Sequence, residues 1–287
     1  MAMSKITADR SRGVWSAVRS RARDDLLRVR AKLRWPRLDV TVAANDNMQF
    51  GGTLRTYFEV GADALRCIED GLGAAKVTEV RRVLDLPSGY GRVLRHLRRR
   101  WPAAAITAMD VLPDAVSFCA RRFAARPVVS RDPLWLVDEA GDGYNVLWSG
   151  SLLTHLPATA WPSVLTYFRD RVTVGGAVIF TTHGERSAGL VRRDPAEVLA
   201  VHSATGGLWD GDYGIGEQAQ ALLRDLDRTG FGYAPYAWSR DARWGTSVSQ
   251  PAWVQDVIGS IGGLELARHV AHGWFQHQDV WTCVRTS

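Results

Sequence analysis

The sequence has few cysteines, and none of them has the spacing of a metal site or a redox motif. Cys67, Cys119 and Cys283 are odd in number and far apart among 287 residues, and no CxxC pair occurs. Because zinc sites and redox-active disulfides usually need cysteines that are close in the sequence, we predict neither and expect no metal site. We expect three free thiols in a reducing cytoplasm.

Long apolar runs are also missing. No segment approaches the roughly 18 apolar residues that a membrane-spanning helix needs. The basic N-terminus is not followed by the apolar stretch of a signal peptide. With 46% apolar and 23% charged residues, the chain has the composition of a globular protein, which we expect in the cytoplasm. Peripheral contact with the inner membrane face stays open as an alternative.

Acidic residues are scarce at the N-terminus. Residues 1–40 hold 11 Lys/Arg and 4 Asp/Glu residues, a net charge of +7, whereas the remainder carries −1. Apolar residues recur there at helical spacing, so we predict a basic helical arm over residues 1–47, partly disordered. Three interpretations of residues 1–40 stay open: a solvated arm, contact with an anionic membrane or a partner, and contact with nucleic acid.

Residues 48–287 are predicted to form one α/β domain. After a helix within 48–78, strands and helices alternate, which predicts a Rossmann-like, doubly wound, mostly parallel sheet with an antiparallel strand at the C-terminus. The irregular stretch of about 184–250, which includes a helix over Glu217–Arg228, is predicted to cover a site. The predicted strands are Arg82–Leu86, Ala105–Asp110, Val128–Ser130, Asn145–Ser149, Ala177–Thr182, Leu264–Ala271 and Asp279–Val284. The other predicted helices are Gly91–Trp101, Pro113–Phe123, Trp161–Arg171 and Ala252–Ile261.

The segment Val83–Arg92 carries the main chemical signal. An apolar strand runs into a turn with Gly89 and Gly91, and glycines there permit positive φ angles and close approach of a ligand to the backbone. Asp85 lies inside the apolar strand, where a carboxylate is costly unless a cationic ligand or backbone N–H groups pair with it.

Asp110 ends the next strand, where a carboxylate accepts hydrogen bonds from the hydroxyls of a ribose. The third glycine of the dinucleotide-binding pattern is missing, because Leu94 stands in its place. A nicotinamide or flavin oxidoreductase is therefore disfavoured, although it stays open, as does a glycine turn without a ligand.

The segment resembles the first motif of class I S-adenosylmethionine (SAM) dependent methyltransferases, which usually reads Asp/Glu-x-Gly-x-Gly-x-Gly. Here Pro87 replaces the first glycine. The stretches 151–157 (SLLTHLP), 172–178 (VTVGGAV) and 181–185 (TTHGE) extend the resemblance, which covers about residues 50–287. Of these, 172–178 is similar to the family's turn before the fifth strand, whereas 151–157 and 181–185 are similar to a bacterial subgroup associated with polysaccharide and glycolipid gene sets. That subgroup tends to end with a Trp, a His and an Asp, which match Trp274, His277 and Asp279.

The resemblance implies roles for individual residues. A first group would hold the methionine part of SAM: Asp85, Ser88, Gly89, Tyr90 and Gly91. Asp110 would bind the ribose, while Val111 and Leu112 would flank the adenine. Asp132 would hold the adenine amino group. Ser149 and Ser151 would border the methyl group, and Tyr57 would close the pocket from the N-terminal helices.

Three histidines follow predicted strand ends, where open α/β sheets bind ligands. An alcohol acceptor gains from a base that removes its proton, and histidine titrates near neutral pH. We favour His155 and His183 as catalytic candidates over His277. For each of the three, a packing or structural role stays open.

The leading functional hypothesis is O-methylation of a hydroxyl on a saccharide or another small molecule. Methylation of a small molecule at nitrogen and a SAM-binding partner or regulator without catalysis are the alternatives. The chain lacks the Asn/Asp-Pro-Pro-Tyr/Phe motif of many nucleobase methyltransferases, so a nucleic-acid substrate is disfavoured. Arg95, Arg98, Arg99 and Arg100 are interpreted as a solvated helical face. The twelve Trp residues are interpreted as packing residues, and a role in lining a cleft stays open.

Overall fold

Apolar segments of the chain build one large sheet in a computed structural model that describes residues 25–46, 48, 54–130, 138–192, 218–236, 239 and 242–287. The strands are β1 (Arg82–Asp85), β2 (Ala105–Asp110), β3 (Arg126–Val129), β4 (Tyr144–Ser149), β5 (Val172–Thr182), β6 (Phe231–Pro235), β7 (Gly245–Ser249), β8 (Leu264–Trp274) and β9 (Gln278–Arg285). In the part of the chain described, seven strands pair in the order β3-β2-β1-β4-β5-β9-β8, and β6 and β7 form a separate hairpin.

The sheet is parallel from β1 to β5, whereas β9 runs antiparallel to both of its neighbours, β5 and β8. This confirms the predicted doubly wound, mostly parallel sheet with an antiparallel strand at the C-terminus. The strand order reverses between β1 and β4. In open α/β sheets such a reversal opens a crevice at the carboxyl ends of the strands, where ligands bind.

Helices cover both faces of the sheet. They are α1 (residues 25–34), α2 (Leu54–Ala74), α3 (Leu94–Arg100), α4 (Pro113–Phe123), α5 (Trp161–Arg171), α6 (Glu185–Arg192), α7 (Ala219–Thr229) and α8 (Pro251–Ile261). Proline occupies the first turn of α4, α5 and α8, where its missing N–H loses no helical hydrogen bond. No helix in the described ranges is long and apolar enough to cross a membrane.

Adjacent residues of the central strands supply two separate cores, because successive side chains of a strand point to opposite faces. Leu84 and Leu147 pack with α5 and α8 in one buried cluster. Val83 and Val146 pack with α2, α3 and α4 in the other. The sheet is therefore buried on both faces, which holds the strand ends in fixed positions.

The turn after β1 shifts the start of α3. We predicted a helix from Gly91, but α3 begins at Leu94. Gly89 and Gly91 have φ angles of 49° and 77°, and this left-handed backbone cannot continue a right-handed helix. The result is a longer turn beside the end of β1.

Three short elements in the predicted cover region were not anticipated, namely α6, β6 and β7. Leu222 and Leu226 of α7 pack against Ala234 and Val248 of the hairpin in a small core of their own. A Cβ at Gly232 would lie 2.2 Å from the carbonyl oxygen of Leu222, so the close contact between α7 and β6 depends on that glycine. The division into an arm, a domain and a cover stays a prediction.

Candidate functional site

Two polar side chains are buried without hydrogen-bond partners where the strand order reverses. Asp85 ends β1 and is 1% exposed, and Ser149 ends the adjacent β4 and is 0% exposed. Among the residues that the structure describes, neither the carboxylate oxygens of Asp85 nor the hydroxyl of Ser149 has a hydrogen-bond partner. Burial, and next the nearby Asp110, raise the pKa of Asp85 well above its usual range. Since buried polar groups are nearly always satisfied, the pair indicates a ligand-binding site.

The glycine turn leaves open space beside this pair. A Cβ at Gly91 would lie 2.5 Å from the ring of Phe123, so this glycine is needed where the turn packs against α4. A Cβ at Gly89 would have no atom of the described residues within 4 Å. Gly89 therefore lines free space, and the Leu86–Pro87 peptide that leads into the turn is cis.

Asp110 joins the glycine turn to the end of β2. One carboxylate oxygen accepts a hydrogen bond from the Gly89 N–H at 2.8 Å, and the other accepts from the Leu112 N–H at 3.0 Å. Burial raises the pKa of Asp110, while these N–H groups act in the opposite direction. Asp85 accepts no hydrogen bond from the described residues, so only Asp110 is fixed by backbone N–H groups.

A cavity of about 160 Å³ opens beside Asp110. Its described lining is mainly apolar, with three polar side chains. The lining residues are Leu86, Pro87, Met109, Asp110, Val111, Ser130, Leu152, His155, Val164, Tyr167, Phe168 and Trp244. The structure thus brings the predicted residues Asp110, Val111 and His155 to one cavity. None of the described residues that line it is a lysine or an arginine.

His155 is the histidine that reaches this cavity. It ends a short 3-10 turn, Leu153–His155, that follows β4. Its Nδ1 atom is hydrogen-bonded to the Tyr236 hydroxyl and lies 3.4 Å from the carbonyl oxygen of Gly245. Burial lowers the pKa of His155, so the ring is neutral near pH 7.

His183 contacts strand β7 and His277 contacts helix α6. Neither is among the described residues that line the cavity. His183 Nδ1 is 3.1 Å from the carbonyl oxygen of Ser247, and the two imidazole rings are 5.4 Å apart. His277 Nε2 is 3.3 Å from the hydroxyl of Ser187. Burial lowers the pKa of His183 well below its usual value and that of His277 to about 3.

A polar network that the sequence did not reveal fixes the residues after β4. Ser151 adopts a φ of 63°, and its N–H donates to the Thr181 hydroxyl at 2.8 Å. The Gln278 amide donates to the Ser151 hydroxyl at 3.0 Å and accepts from the Thr181 hydroxyl at 2.6 Å. Gln278 carried no signal in the sequence, because only the pairing of β5 with β9 brings it to this place.

Tyr57 is buried, but it does not line the cavity. Its hydroxyl donates to Asp46 at 2.7 Å and accepts from Arg95 at 3.1 Å. The segment that contains Asp46 approaches the glycine turn through a small cluster of Ala43, Tyr90 and Ala115. Tyr57 is therefore connected to the turn through other residues. Asp132, the predicted adenine partner, lies outside the described residues.

Trp274 and Asp279 stabilise the pair of strands β8 and β9. The Trp274 indole N–H donates to the carbonyl oxygen of Val60 at 3.1 Å, and Asp279 accepts from the His272 N–H at 2.9 Å. Asp279 also lies 3.1 Å from Nε2 of His269. In the described residues, no three His, Cys, Asp or Glu side chains form a group able to hold a metal ion.

The interpretation of the α3 arginines as a solvated face is wrong for Arg95 and Arg98. Arg95 is 1% exposed and donates to the carbonyl oxygens of Asp39 and Thr41, at 2.9 and 2.8 Å. Arg98 donates to four carbonyl oxygens between Pro102 and Ala124. Backbone segments lie over this part of α3 where solvent was expected, so these two side chains hold those segments against the helix.

Residues 83–176 match the family model of a methyltransferase domain, and this range contains the glycine turn, Asp110, Ser149 and His155. Trans-aconitate 2-methyltransferase of Mycobacterium tuberculosis is 50% identical over 42 residues, 15% of this chain. The match spans only 16% of the length of that relative.

The chain is similar to solved structures at low identity. The structure of DesVI from Streptomyces venezuelae aligns with a TM-score of 0.51 and 13% identity, over 79% of this chain and 92% of that chain. A TehB-like SAM-dependent methyltransferase from Corynebacterium glutamicum aligns with a TM-score of 0.45 and 12% identity, over 78% and 87% of the two chains. The domain match confirms the predicted SAM-dependent methyltransferase class for this part of the chain.

Proposed function

We propose that the protein methylates a hydroxyl group of a small molecule or saccharide with SAM as the methyl donor. The observation that carries this proposal is the buried, unpartnered carboxylate of Asp85 where the strand order reverses, next to the open turn at Gly89. A ligand with a cationic amino group and polar atoms satisfies both features, and the amino-acid part of SAM has these groups.

The chain's own residues divide the work of holding the cofactor. Asp85 would pair with the ammonium group, while the turn of Ser88, Gly89, Tyr90 and Gly91 would hold the rest of the methionine part. Asp110 would accept hydrogen bonds from the ribose with the lone pairs that Gly89 and Leu112 leave available. Val111, which is 44% exposed, would cover the adenine, and Ser149 would border the methyl group. When bound, SAM supplies an activated methyl group that passes to the acceptor as the bond to sulfur breaks.

His155 is the favoured base of the two predicted catalytic histidines. It lines the cavity and is neutral near pH 7, so it can take the proton that an acceptor hydroxyl loses. His183 is hydrogen-bonded to the carbonyl oxygen of Ser247 in β7 and is not among the described residues that line the cavity. We therefore assign His155 the proton transfer and His183 a supporting role.

The part of the described cavity lining that is not assigned to the cofactor favours an uncharged acceptor with an apolar or ring-shaped face. Tyr167, Phe168 and Trp244 offer flat apolar surfaces, which suit sugar rings and aromatic rings. The described lining offers no cationic partner for a polycarboxylate such as trans-aconitate. A saccharide hydroxyl, as in the subgroup that the sequence resembles, stays our first choice.

Two assays test this function. In the first, thermal unfolding is followed with SAM and S-adenosylhomocysteine, and stabilisation by both is expected. In the second, methyl-tritiated SAM is incubated with cell-envelope saccharides, small-molecule extracts or total RNA. Incorporation into RNA alone would refute the proposed acceptor. Stabilisation without any methyl transfer would favour the SAM-binding regulator, and transfer to an amine would favour N-methylation.

A specific observation also favours the membrane contact considered for residues 1–40. On α1, Leu26, Val29 and Leu33 are 52%, 53% and 77% exposed. Their spacing of three and four residues places them in one stripe of the helix, which we call the α1 stripe. Exposed Arg30 and Lys32 flank it. We propose that the α1 stripe rests on an anionic lipid surface, where apolar side chains enter the interface and cations meet the headgroups.

A further inference from the structure

Strand β7 presents its free edge to two of the histidines. Its other edge pairs with β6, from Gly245 opposite Pro235 to Ser249 opposite Phe231. On the free edge, the Ser249 N–H donates to the carbonyl oxygen of His183 at 2.9 Å. The Ser247 hydroxyl donates to the carbonyl oxygen of Leu153 at 2.9 Å. The strand is therefore joined to both segments that carry the histidines.

Two carbonyl groups of this edge lie against imidazole Nδ1 atoms. The Ser247 oxygen is 3.1 Å from His183 Nδ1, and the Gly245 oxygen is 3.4 Å from His155 Nδ1. Because alternate residues of a strand direct their carbonyl groups to the same side, a spacing of two residues serves both rings from one edge. Tyr236, whose N–H donates to the Trp244 carbonyl oxygen at 3.1 Å, adds its hydroxyl at His155 Nδ1.

The chemistry of these partners decides which ring nitrogen carries the proton. A neutral imidazole has one N–H group, and a carbonyl oxygen only accepts hydrogen bonds. A hydroxyl can donate or accept, so Tyr236 is compatible with either form of His155, and the Gly245 carbonyl selects the Nδ1–H form. Burial keeps both rings neutral.

We propose that strand β7 holds His155 and His183 in the Nδ1–H tautomer, which leaves Nε2 of His155 as the basic nitrogen for the acceptor. Gly245, Ser247 and Tyr236 are positioning residues in this arrangement. The inference rests on the proposed function for the use of the base, but the tautomers themselves are set by contacts within the chain. Docking of the β6–β7 hairpin is then a condition for the base to be competent.

Gly245 is the residue through which β7 can be disturbed. A Cβ at this position would lie 2.1 Å from the carbonyl oxygen of Ala234. In Gly245→Ala the end of β7 must therefore shift away from β6, and the carbonyl group at position 245 shifts with it. Gly189→Ala is a matched control, because no atom of the described residues lies within 4 Å of the added methyl group there.

The test is a long-range ¹⁵N–¹H correlation spectrum of the histidine-labelled full chain at pH 8, without cofactor, with peaks assigned from His155→Gln and His183→Gln. We expect the Nδ1–H pattern for His155 and His183. His269 is an internal control with the opposite expectation, Nε2–H, because its Nε2 faces the Asp279 carboxylate at 3.1 Å. An Nε2–H pattern at either His155 or His183 would overturn the inference.

Two variants test the cause of the pattern. Gly245→Ala is expected to raise the Nε2–H fraction of His155 and to leave His183 unchanged, and no change at His155 would refute the role of β7. Tyr236→Phe is expected to keep the Nδ1–H form of His155, since the carbonyl group remains, and it serves if Gly245→Ala does not fold. Because the spectra need no cofactor or acceptor, a failed tautomer assignment and a failed methyltransferase assay are separate results.

Discussion

Asp85 and Asp110 are two buried carboxylates whose surroundings differ. Asp110 accepts hydrogen bonds from two backbone N–H groups, whereas both oxygens of Asp85 lack a partner in the described part of the chain. An unpartnered buried charge destabilises the ligand-free protein, and a supported one holds the turn in place. We infer that Asp85 is retained for a ligand at a cost in stability.

Substitution by asparagine should therefore have opposite effects at the two positions. Asp85→Asn replaces a buried carboxyl group whose pKa is raised well above its usual range, and this removes the cost of burying or protonating that group near neutral pH, so we expect a higher unfolding midpoint without ligand. Asp110→Asn replaces one acceptor oxygen by an N–H donor, and we expect a loss of about 1–3 kcal/mol. Urea denaturation of the two variants and the wild type measures both effects. Destabilisation by Asp85→Asn of the same size would show that Asp85 has a structural partner.

Site residues that belong to one continuous motif could be predicted from the sequence. Site residues that come from distant parts of the chain could not. The glycine turn and Asp85 belong to one continuous strand and turn, so the pattern Asp-x-Pro-x-Gly-x-Gly located them. Tyr236 and Gln278 reach the site from elements 81 and 127 residues away from His155 and Ser151. Nothing in the sequence near either residue distinguishes it from an ordinary packing residue.

The exposure of the α1 stripe has no explanation among the residues that the structure describes. An isolated apolar side chain on a surface is normal, but three in one stripe indicate a binding surface. We expect the full chain to cosediment with vesicles that contain phosphatidylglycerol and not with vesicles of phosphatidylcholine alone, and we expect added salt to weaken the binding.

Replacing the α1 stripe tests this expectation directly. In Leu26→Ser/Val29→Ser/Leu33→Ser, the partition coefficient should fall by about tenfold or more, since apolar burial drives interfacial binding. Val174→Ser is the matched control, because Val174 is 64% exposed on β5 and far from α1 in the sequence. Unchanged binding in the triple variant would contradict the proposal. A dimer of the wild type that the triple variant loses would identify a second copy as the occupant instead.

The elements of the main sheet and its helices were predicted, several at close to their observed bounds, whereas short elements of the cover region were missed. Helix α8 was expected from Ala252 and starts at Pro251, and the predicted strand Ala105–Asp110 matches β2. The hairpin strands β6 and β7 have five residues each, too few for a clear period. Their stability comes from α7 and from the histidine segments, and such tertiary contacts leave no local signal.

Several buried neutral histidines make the whole molecule sensitive to acid. Burial, and next the nearby Arg95 and Arg99, lower the pKa of His96 to about 3, and burial lowers that of His277 to about 3. The unfolded chain binds protons near pH 6.5, whereas the native rings stay neutral, so stability falls as the pH drops below about 6.5. Asp85 has the opposite effect, because its raised pKa favours the protonated native state.

The variant His96→Leu should reduce this loss of stability. Each buried histidine contributes up to about 1.4 kcal/mol per pH unit below its unfolded pKa. Urea denaturation at pH 7.5, 6.5 and 5.5 should therefore show a smaller decrease in His96→Leu than in the wild type. His272→Asn, at an exposed position, should behave like the wild type. A wild-type stability that is unchanged or higher at pH 5.5 would contradict the account.

We propose above all that the carboxylate of Asp85 pairs with the amino group of SAM. Calorimetric titration with S-adenosylhomocysteine tests this pairing most directly. We predict binding to the wild type that weakens as the pH falls, because protonation of Asp85 removes the charge that pairs with the ammonium group. We predict at least about tenfold weaker binding to Asp85→Asn, in keeping with the worth of a charged hydrogen bond. No binding to the wild type at millimolar ligand, or equal affinity in Asp85→Asn, would contradict the claim.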